Sequence, residues 1–270
     1  MKKLIVNADD MGRTTEINAG IVEAFVNGIV TGTSLMANFS AFEDAVALIK
    51  KHHLPVGVHL NLTEGRPLCD PTEIPSLVNA DGNFPGKAPF FLRARRGQIS
   101  PSEARLELTT QVQKALDHGL AVDHLDGHHH VHTVPQLNAV CCDIARAAGI
   151  RAMRWISPPQ FLFPLRPALQ QWTVHTVIAG GIRPMLAHPE HFWGFELWRA
   201  ADKEQALLDV VRRLRPGVNE LMCHPGYQSA EAVGQANETR ADELAALCSD
   251  SVRKKLVEKD VSLTGFAELI

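Results

Sequence analysis

Along the chain, short apolar runs alternate with longer segments in which apolar residues recur at helical spacing. Leu4 to Val6 is an apolar run ending in Asn-Ala-Asp-Asp, the pattern of a buried strand that delivers two carboxylates at its C-terminal end. Ile17, Ile21, Val22 and Phe25 then recur at helical spacing, with Glu16 in the first turn and Gly28 as a stop signal. A strand is predicted near Thr33 to Met36 and a helix from Ala41, whose stripe is Phe42, Val46 and Ile49. Ser40 and Glu43 stand at capping-box spacing for that helix. Pro55 opens the clearest strand, Val56 to Leu62: the residues at 56, 58, 60 and 62 share one apolar face, and Gly57, His59 and Asn61 share the other. If the apolar face packs on helices, His59 and Asn61 point to the interior, where a histidine is either hydrogen-bonded in the core or a ligand.

Residues 63–100 are rich in Pro and Gly, with turn signals at Asp81-Gly82 and Pro85-Gly86, and are read as one long loop of a binding surface or lid. Ser100-Pro101-Ser102-Glu103 is a strong helix start, and that helix runs to about His118. A run from Leu120 to Val122 leads into a histidine-rich stretch. A helix from Pro135 follows it, then a short strand from Ile150 to Arg154. From Trp155 to about Arg199 prolines and tryptophans break the pattern, and this segment is either a second lid or an oligomer contact. Ala201 to Leu214 is helical and Val218 to Cys223 is a strand. One amphipathic helix (Leu244, Leu247, Val252, Leu256) and a strand near Val261 to Phe266 close the chain. Strands that alternate with helices imply parallel pairing. With about seven strands and no GxGxxG or P-loop, the pattern favours an α/β fold. The expected form is an irregular or incomplete (β/α) barrel, TIM-barrel-like, one domain over residues 1–270 with long loops.

Composition adds mainly exclusions. Net charge is −3, which supplies no basic field for nucleic acid or anionic lipid. The apolar run after Met1-Lys2-Lys3 stops at Asn7, too short for a signal peptide, and no stretch approaches the roughly 20 apolar residues of a membrane span. A cytoplasmic protein with no membrane insertion is expected. The five cysteines are scattered without a CxxC, so neither disulfides nor a thiolate zinc site is suggested.

Candidate chemistry gathers around Val122 to His132, where five of the 13 histidines and two aspartates crowd together. Alone, this could be a solvated loop. Asp9-Asp10, His59 and His224 raise the metal reading, because each is expected at or near the C-terminal end of a different strand, the face where barrels of this kind collect their catalytic groups. One Asp and two His make a ligand set for a divalent metal with open positions for water and substrate. Adjacent carboxylates cannot both point the same way from an extended chain, which suggests divided labour for Asp9 and Asp10. Such a metal polarises a carbonyl and acidifies water, chemistry suited to hydrolysis of an amide or ester, with His224 placed to protonate a leaving amine.

The stretches Leu4 to Gly12, Gly57 to Thr63, His124 to His132 and His224-Pro225-Gly226 resemble the YdjC-like carbohydrate deacetylases, a family that includes chitooligosaccharide and hopanoid-biosynthesis deacetylases. The resemblance implies a metal-dependent hydrolase that removes N-acetyl groups from a sugar. It places one divalent ion, Mg²⁺ or Zn²⁺, on Asp10, His59 and His128. It makes Asp9 the general base and His224 the candidate acid. Arg66 would be a substrate contact, with Asn61, His130 and His132 left for substrate or supporting roles, while His129 is expected to turn away. The implied partner is an N-acetylated sugar, with a homodimer left open. Two positions depart from the family pattern: Met11, where Phe is usual, and Gly127, where Ser is common and whose freedom could loosen the loop before His128. The competing readings are a metal-dependent phosphoester hydrolase on a similar barrel and a metal-binding protein without catalysis.

Overall fold

The computed structural model describes residues 1–156, 184–231 and 235–270. In chain order its elements begin β1 (Lys2–Met11), α1 (Thr15–Asn27), β2 (Gly32–Leu35), α2 (Phe42–His52), β3 (Val56–Leu60), α3 (Lys87–Arg95), α4 (Pro101–Asp117) and β4 (Val122–Gly127). After a 3₁₀ segment at His128–Thr133 come α5 (Pro135–Ala147), β5 (Ala152–Met153), β6 (His191–Trp193), α6 (Phe195–Arg199) and α7 (Lys203–Arg213). The chain ends with β7 (Gly217–Cys223), α8 (Gln235–Leu247), α9 (Asp250–Glu258), β8 (Val261–Leu263) and a 3₁₀ turn at Phe266–Leu269.

All eight described strands pair in parallel in one sheet, ordered β5-β4-β3-β2-β1-β7-β6, with β8 added to β1. The sheet curls until its edges nearly meet. Ala187 bridges to Ala152 of β5, and a few residues later the same segment becomes β6 on β7. The expected irregular α/β barrel is the observed one.

Alternation along β1 sorts its side chains into two layers. Leu4, Val6 and Ala8 join the large outer core under the helices, whereas Ile5 belongs to a small inner cluster with Ala152 and Phe266. This inner cluster plugs the N-terminal end of the barrel. There the ring of buried His124 stacks on Phe266 with centroids 3.7 Å apart, and Gly57 leaves room for it: a Cβ at 57 would meet the imidazole at 2.4 Å. Above the plug the interior is polar and ends at the C-terminal mouth.

Several local expectations change. The long loop 63–100 contains α3, whose Phe90, Phe91 and Ala94 are buried in the outer core. The single C-terminal helix is two, α8 and α9, divided where Ser249 caps the second through Ser251 N at 3.2 Å. Ser40 and Glu43 form no capping box: α2 starts after Ala41, with no side-chain cap. Ser100 does cap α4, accepting from Glu103 N at 3.4 Å, with Pro101 at the first helical position. The last strand stops at Leu263, because Phe266 turns inward to the plug. Of the irregular 155–199 segment, β6 and α6 are seen and residues 157–183 lie outside the described residues.

Candidate metal centre and its buried ion-pair network

At its C-terminal end β1 is not regular. Between Ala8 and Met11 it spans three steps while β2 spans two, from Thr33 to Leu35, and Asp10 in this bulge takes φ 73°. Asp tolerates the left-handed region better than most residues. The bulge breaks the alternation, so both carboxylates turn inward: His59 Nε2 lies 3.9 Å from Asp9 Oδ2 and 3.7 Å from Asp10 Oδ1. The expectation that neighbouring carboxylates must point apart is therefore corrected, since it assumed an extended chain.

His59 stands near the end of β3 and is buried. Its Nδ1 is 2.7 Å from Asp126 Oδ1 on β4, a pairing that fixes the ring and leaves Nε2 facing the aspartates. His128, directly after β4, presents Nδ1 to Asp10 Oδ1 at 3.1 Å, and the His59 and His128 ring centroids are 5.4 Å apart. One ligand atom from each of Asp10, His59 and His128 can be chosen so that all lie within 4.8 Å of one another. Asp10 Oδ1 is buried with no hydrogen-bond partner among the described residues. A buried carboxylate oxygen that makes no hydrogen bond and faces two imidazoles fits a cation ligand. Two nitrogens and one oxygen in a cluster this tight could hold a divalent ion.

Asp9 is held from below. Arg154, just past β5, binds it with two parallel hydrogen bonds, Nη1 to Oδ2 and Nη2 to Oδ1, both 2.7 Å. The same guanidinium lies 2.8 Å from Asp126 Oδ2 and donates through Nε to Glu220 Oε1 of β7 at 2.6 Å. Asn7 Nδ2 adds a 2.9 Å bond to Asp9 Oδ1, and Ser34 Oγ donates to Asp126 Oδ2 at 2.9 Å. Burial pushes the pKa of Asp9 up, but Arg154 and His59 together turn the net shift downward. Asp126, between Arg154 and His59, is likewise held well below the carboxylate range against the effect of burial. For Glu220 burial wins over Arg154, and its carboxyl is pushed up to about 7. Asp10 is also buried, yet His128 and Arg240 hold it well below its ordinary value. Arg240, buried on α8, donates Nη2 to Asp10 Oδ2.

Near the mouth, Glu64 Oε2 is 3.5 Å from His128 Nε2 and 2.7 Å from Arg13 Nη2. For His128 the opposing cost of burial is exceeded by Asp10 and Glu64, which together raise it to about 9. His129 does not turn away: its Nε2 lies 3.7 Å from Glu64 Oε1, and its Nδ1 is 2.9 Å from Thr63 Oγ1. It can do so because His129 and His130 both adopt positive φ, 51° and 61°, which coils the chain back over the site. Glu64, His128 and His129 thus form a second group with metal-ligand spacing.

The remaining sequence candidates fall in different places. His224 follows β7 and is partly buried, with its backbone N–H on Glu243 Oε2 at 2.7 Å. Burial lowers its pKa against the pull of Glu243, Asp10 and Asp9. Its loop sits close on α1 because Gly20 faces Gly226, where a Cβ would lie 2.4 Å from Gly226 Cα. Asn61 commits its side chain to its own loop: Oδ1 accepts from Thr63 N and Glu64 N, and Nδ2 donates to Glu64 O and Asn38 Oδ1. Arg66 is exposed on the loop after Glu64. His130 packs its edge near Phe192 and Phe195, with centroids 6.0 and 5.6 Å away. His132 is fully buried, and burial lowers it to about 3, so it stays neutral. Gly127 is extended at φ −166°, and its missing Cβ makes room for His132, whose Nδ1 a Cβ would meet at 2.9 Å.

Arg154, Asp126, Glu220, Arg240, Glu64 and Arg13 were not assigned by the sequence. The available signals were weak. Arg154 is a cation at the end of a predicted barrel strand, and Asp126 alternates with His124 on the interior face of β4.

The model of the YdjC-like protein family matches residues 3–258. This chain belongs to that family. It is 35% identical over 268 residues to a carbohydrate deacetylase of Geobacillus stearothermophilus, covering 98% of this chain and 96% of the relative. It is 34% identical over 279 residues to a carbohydrate deacetylase of Vibrio vulnificus strain CMCP6, covering 99% and 96%. Among solved structures, a protein from Enterococcus faecalis V583 named for cellobiose-phosphate cleavage superposes with a TM-score of 0.81. Its identity is 25%, over 99% of this chain and 98% of that one. No helix among the described residues of this YdjC-like protein is long and apolar enough to cross a membrane.

Proposed function

We propose that this YdjC-like chain is a metal-dependent hydrolase that removes N-acetyl groups from a sugar. The observation that carries the reading is the convergence of Asp10, His59 and His128 on one small volume, with Asp9 fixed beside them by Arg154. The relatives named carbohydrate deacetylases support the substrate class.

A divalent ion held by Asp10, His59 and His128 supplies polarisation of the acetyl carbonyl and acidifies water. The role of Asp9 follows from its lone pairs. Oδ1 already faces Arg154, Asn7 and Ser34, whereas Oδ2, on the side of His59, accepts from Arg154 alone among the described residues. Oδ2 therefore keeps acceptor capacity toward the reaction. Being ionised across neutral pH, Asp9 takes a proton from the attacking water. His224 delivers a proton to the amine nitrogen as its bond to the acetyl carbon breaks. Asp126 keeps His59 in one tautomer, and Arg240 keeps the second oxygen of Asp10 from competing for the ion.

The test is release of acetate from a panel of N-acetylated sugars, from monosaccharides to oligosaccharides and glycolipid headgroups, after chelation and metal add-back. Activity is expected to vanish on chelation and return with one ion per chain. Asp9→Asn is expected to keep the ion and lose about 10²–10⁴-fold in kcat. Full deacetylase activity in a metal-loaded Asp9→Asn protein would overturn the assignment of the base.

A further inference from the structure

We infer that Glu64, anchored by Arg13, is a positioning residue for the candidate metal ligand His128, an inference that rests on the ion seat at Asp10, His59 and His128 proposed above. The molecule offers its own precedent. His59 turns one nitrogen to the aspartates and the other to a carboxylate, Asp126, 2.7 Å away. His128 repeats the arrangement with its nitrogens exchanged: Nδ1 is 3.1 Å from Asp10 Oδ1, and Nε2 is 3.5 Å from Glu64 Oε2. Nε2 is buried and has no hydrogen-bond partner among the described residues. Glu64 is the carboxylate facing it, and a small rotation closes the gap to hydrogen-bond length. An imidazole that donates its far N–H to a carboxylate is held in one tautomer and is the more basic ligand for it.

Glu64 is placed rather than floating. Its backbone N–H donates to Asn61 Oδ1 at 3.1 Å, and its carbonyl accepts from Asn61 Nδ2 at 2.7 Å and Asn38 Nδ2 at 3.1 Å. Arg13 grips Oε2 at 2.7 Å while its guanidinium lies 5.4 Å from the Phe39 ring centroid. Arg13 N also donates to Asp10 O at 3.2 Å, so the loop that carries one ligand carries the anchor for the residue that orients another. Unlike Asp126, which is fully buried, the Glu64 side chain is 31% exposed. The brace on His128 therefore stands at the mouth, where that on His59 is sealed in the barrel.

The experiment measures Zn²⁺ affinity of the full-length apo protein by competition with a chromophoric chelator, together with ion stoichiometry and the visible spectrum of the Co²⁺-loaded form. Glu64→Ala is expected to weaken binding about 10–100-fold and to change the Co²⁺ band, with stoichiometry still one. Glu64→Gln, whose amide oxygen still accepts from Nε2, is expected to recover part of both. Arg13→Met, one step further out, is expected to give a smaller loss of the same kind. Unchanged affinity and spectrum in Glu64→Ala, alongside a large loss in Asp10→Asn, would overturn this inference and leave the ion seat standing. A wild-type stoichiometry of two that falls to one in Glu64→Ala would overturn it differently, making Glu64 a ligand of a second ion with His129. Wild-type affinity in Asp10→Asn would instead overturn the underlying seat, and the inference with it.

Discussion

The inner and outer halves of the site are built by different means. The inner half, Asp9, His59, Asp126, Arg154 and Glu220, rises from β1, β3, β4, β7 and the residue just past β5. Every member is at most 2% exposed and tied to at least one other. The outer half, His128, His129, Glu64 and Arg13, stands on loops with positive φ at Gly12, His129 and His130, and its separations run from 2.7 to 3.7 Å. Burial makes the inner half costly to leave unpaired. One guanidinium shared by three carboxylates compensates it, so Asp9 and His59, the proposed base and one proposed ligand, are fixed before any ion or substrate arrives. The outer half is cheap to move, and adjustment to different sugars is expected there.

The sharpest way to break that contrast is Arg154→Met, which leaves Asp9, Asp126 and Glu220 without their common cation. Destabilisation of roughly 3–5 kcal/mol is expected from uncompensated buried charge, read as a fall in urea midpoint. Arg13→Met, removing the outer guanidinium, should change that midpoint by less than about 1 kcal/mol. Equal losses from the two would erase the distinction.

Next in size is Asp126→Asn. The amide can still contact His59 but no longer carries the charge that orients it, so Zn²⁺ affinity should drop about 10–100-fold. An affinity like that of wild type would mean that packing alone holds His59.

The smallest effect is electrostatic. Glu220, raised to about 7 from an ordinary value of 4.5, binds its proton more tightly in the folded chain than in the unfolded one. Its stabilising contribution is therefore complete below about pH 4.5 and is lost as pH rises through 7. Glu220→Gln keeps an acceptor for Arg154 and removes this loss. The variant should gain on wild type by about 1–3 kcal/mol between pH 4.5 and 7, then level off. A pH-independent difference between the two proteins would show that Glu220 stays ionised. Asp9 and Asp126, whose pKa values are lowered, act in a separate window: their stabilisation holds above the ordinary carboxylate range and is lost only in stronger acid.

How far the sequence could be read follows from what each feature depends on. Regular alternation in Val56 to Leu62 put His59 inside, and the structure agrees because β3 has parallel neighbours on both sides. The same logic failed at Asp9-Asp10, where a bulge overrides alternation, and at His129, whose positive φ has no signature in a run of histidines. Helix α3 was hidden because its apolar residues do not form a sustained helical stripe: its start is Lys-Ala-Pro and its end Arg-Ala-Arg. Arg240 carries no local signal of its role, and only the packing of α8 brings it onto Asp10.

By itself, the sequence determined the α/β barrel plan and the residue types from which a metal site could be made, since periodicity and strand ends are local properties of the chain. Only the tertiary structure decided which of those residues meet. Asp9 and Arg154 are 145 positions apart, and Asp10 and Arg240 are 230. Contacts over such distances depend on sheet order and barrel closure, which no local pattern encodes.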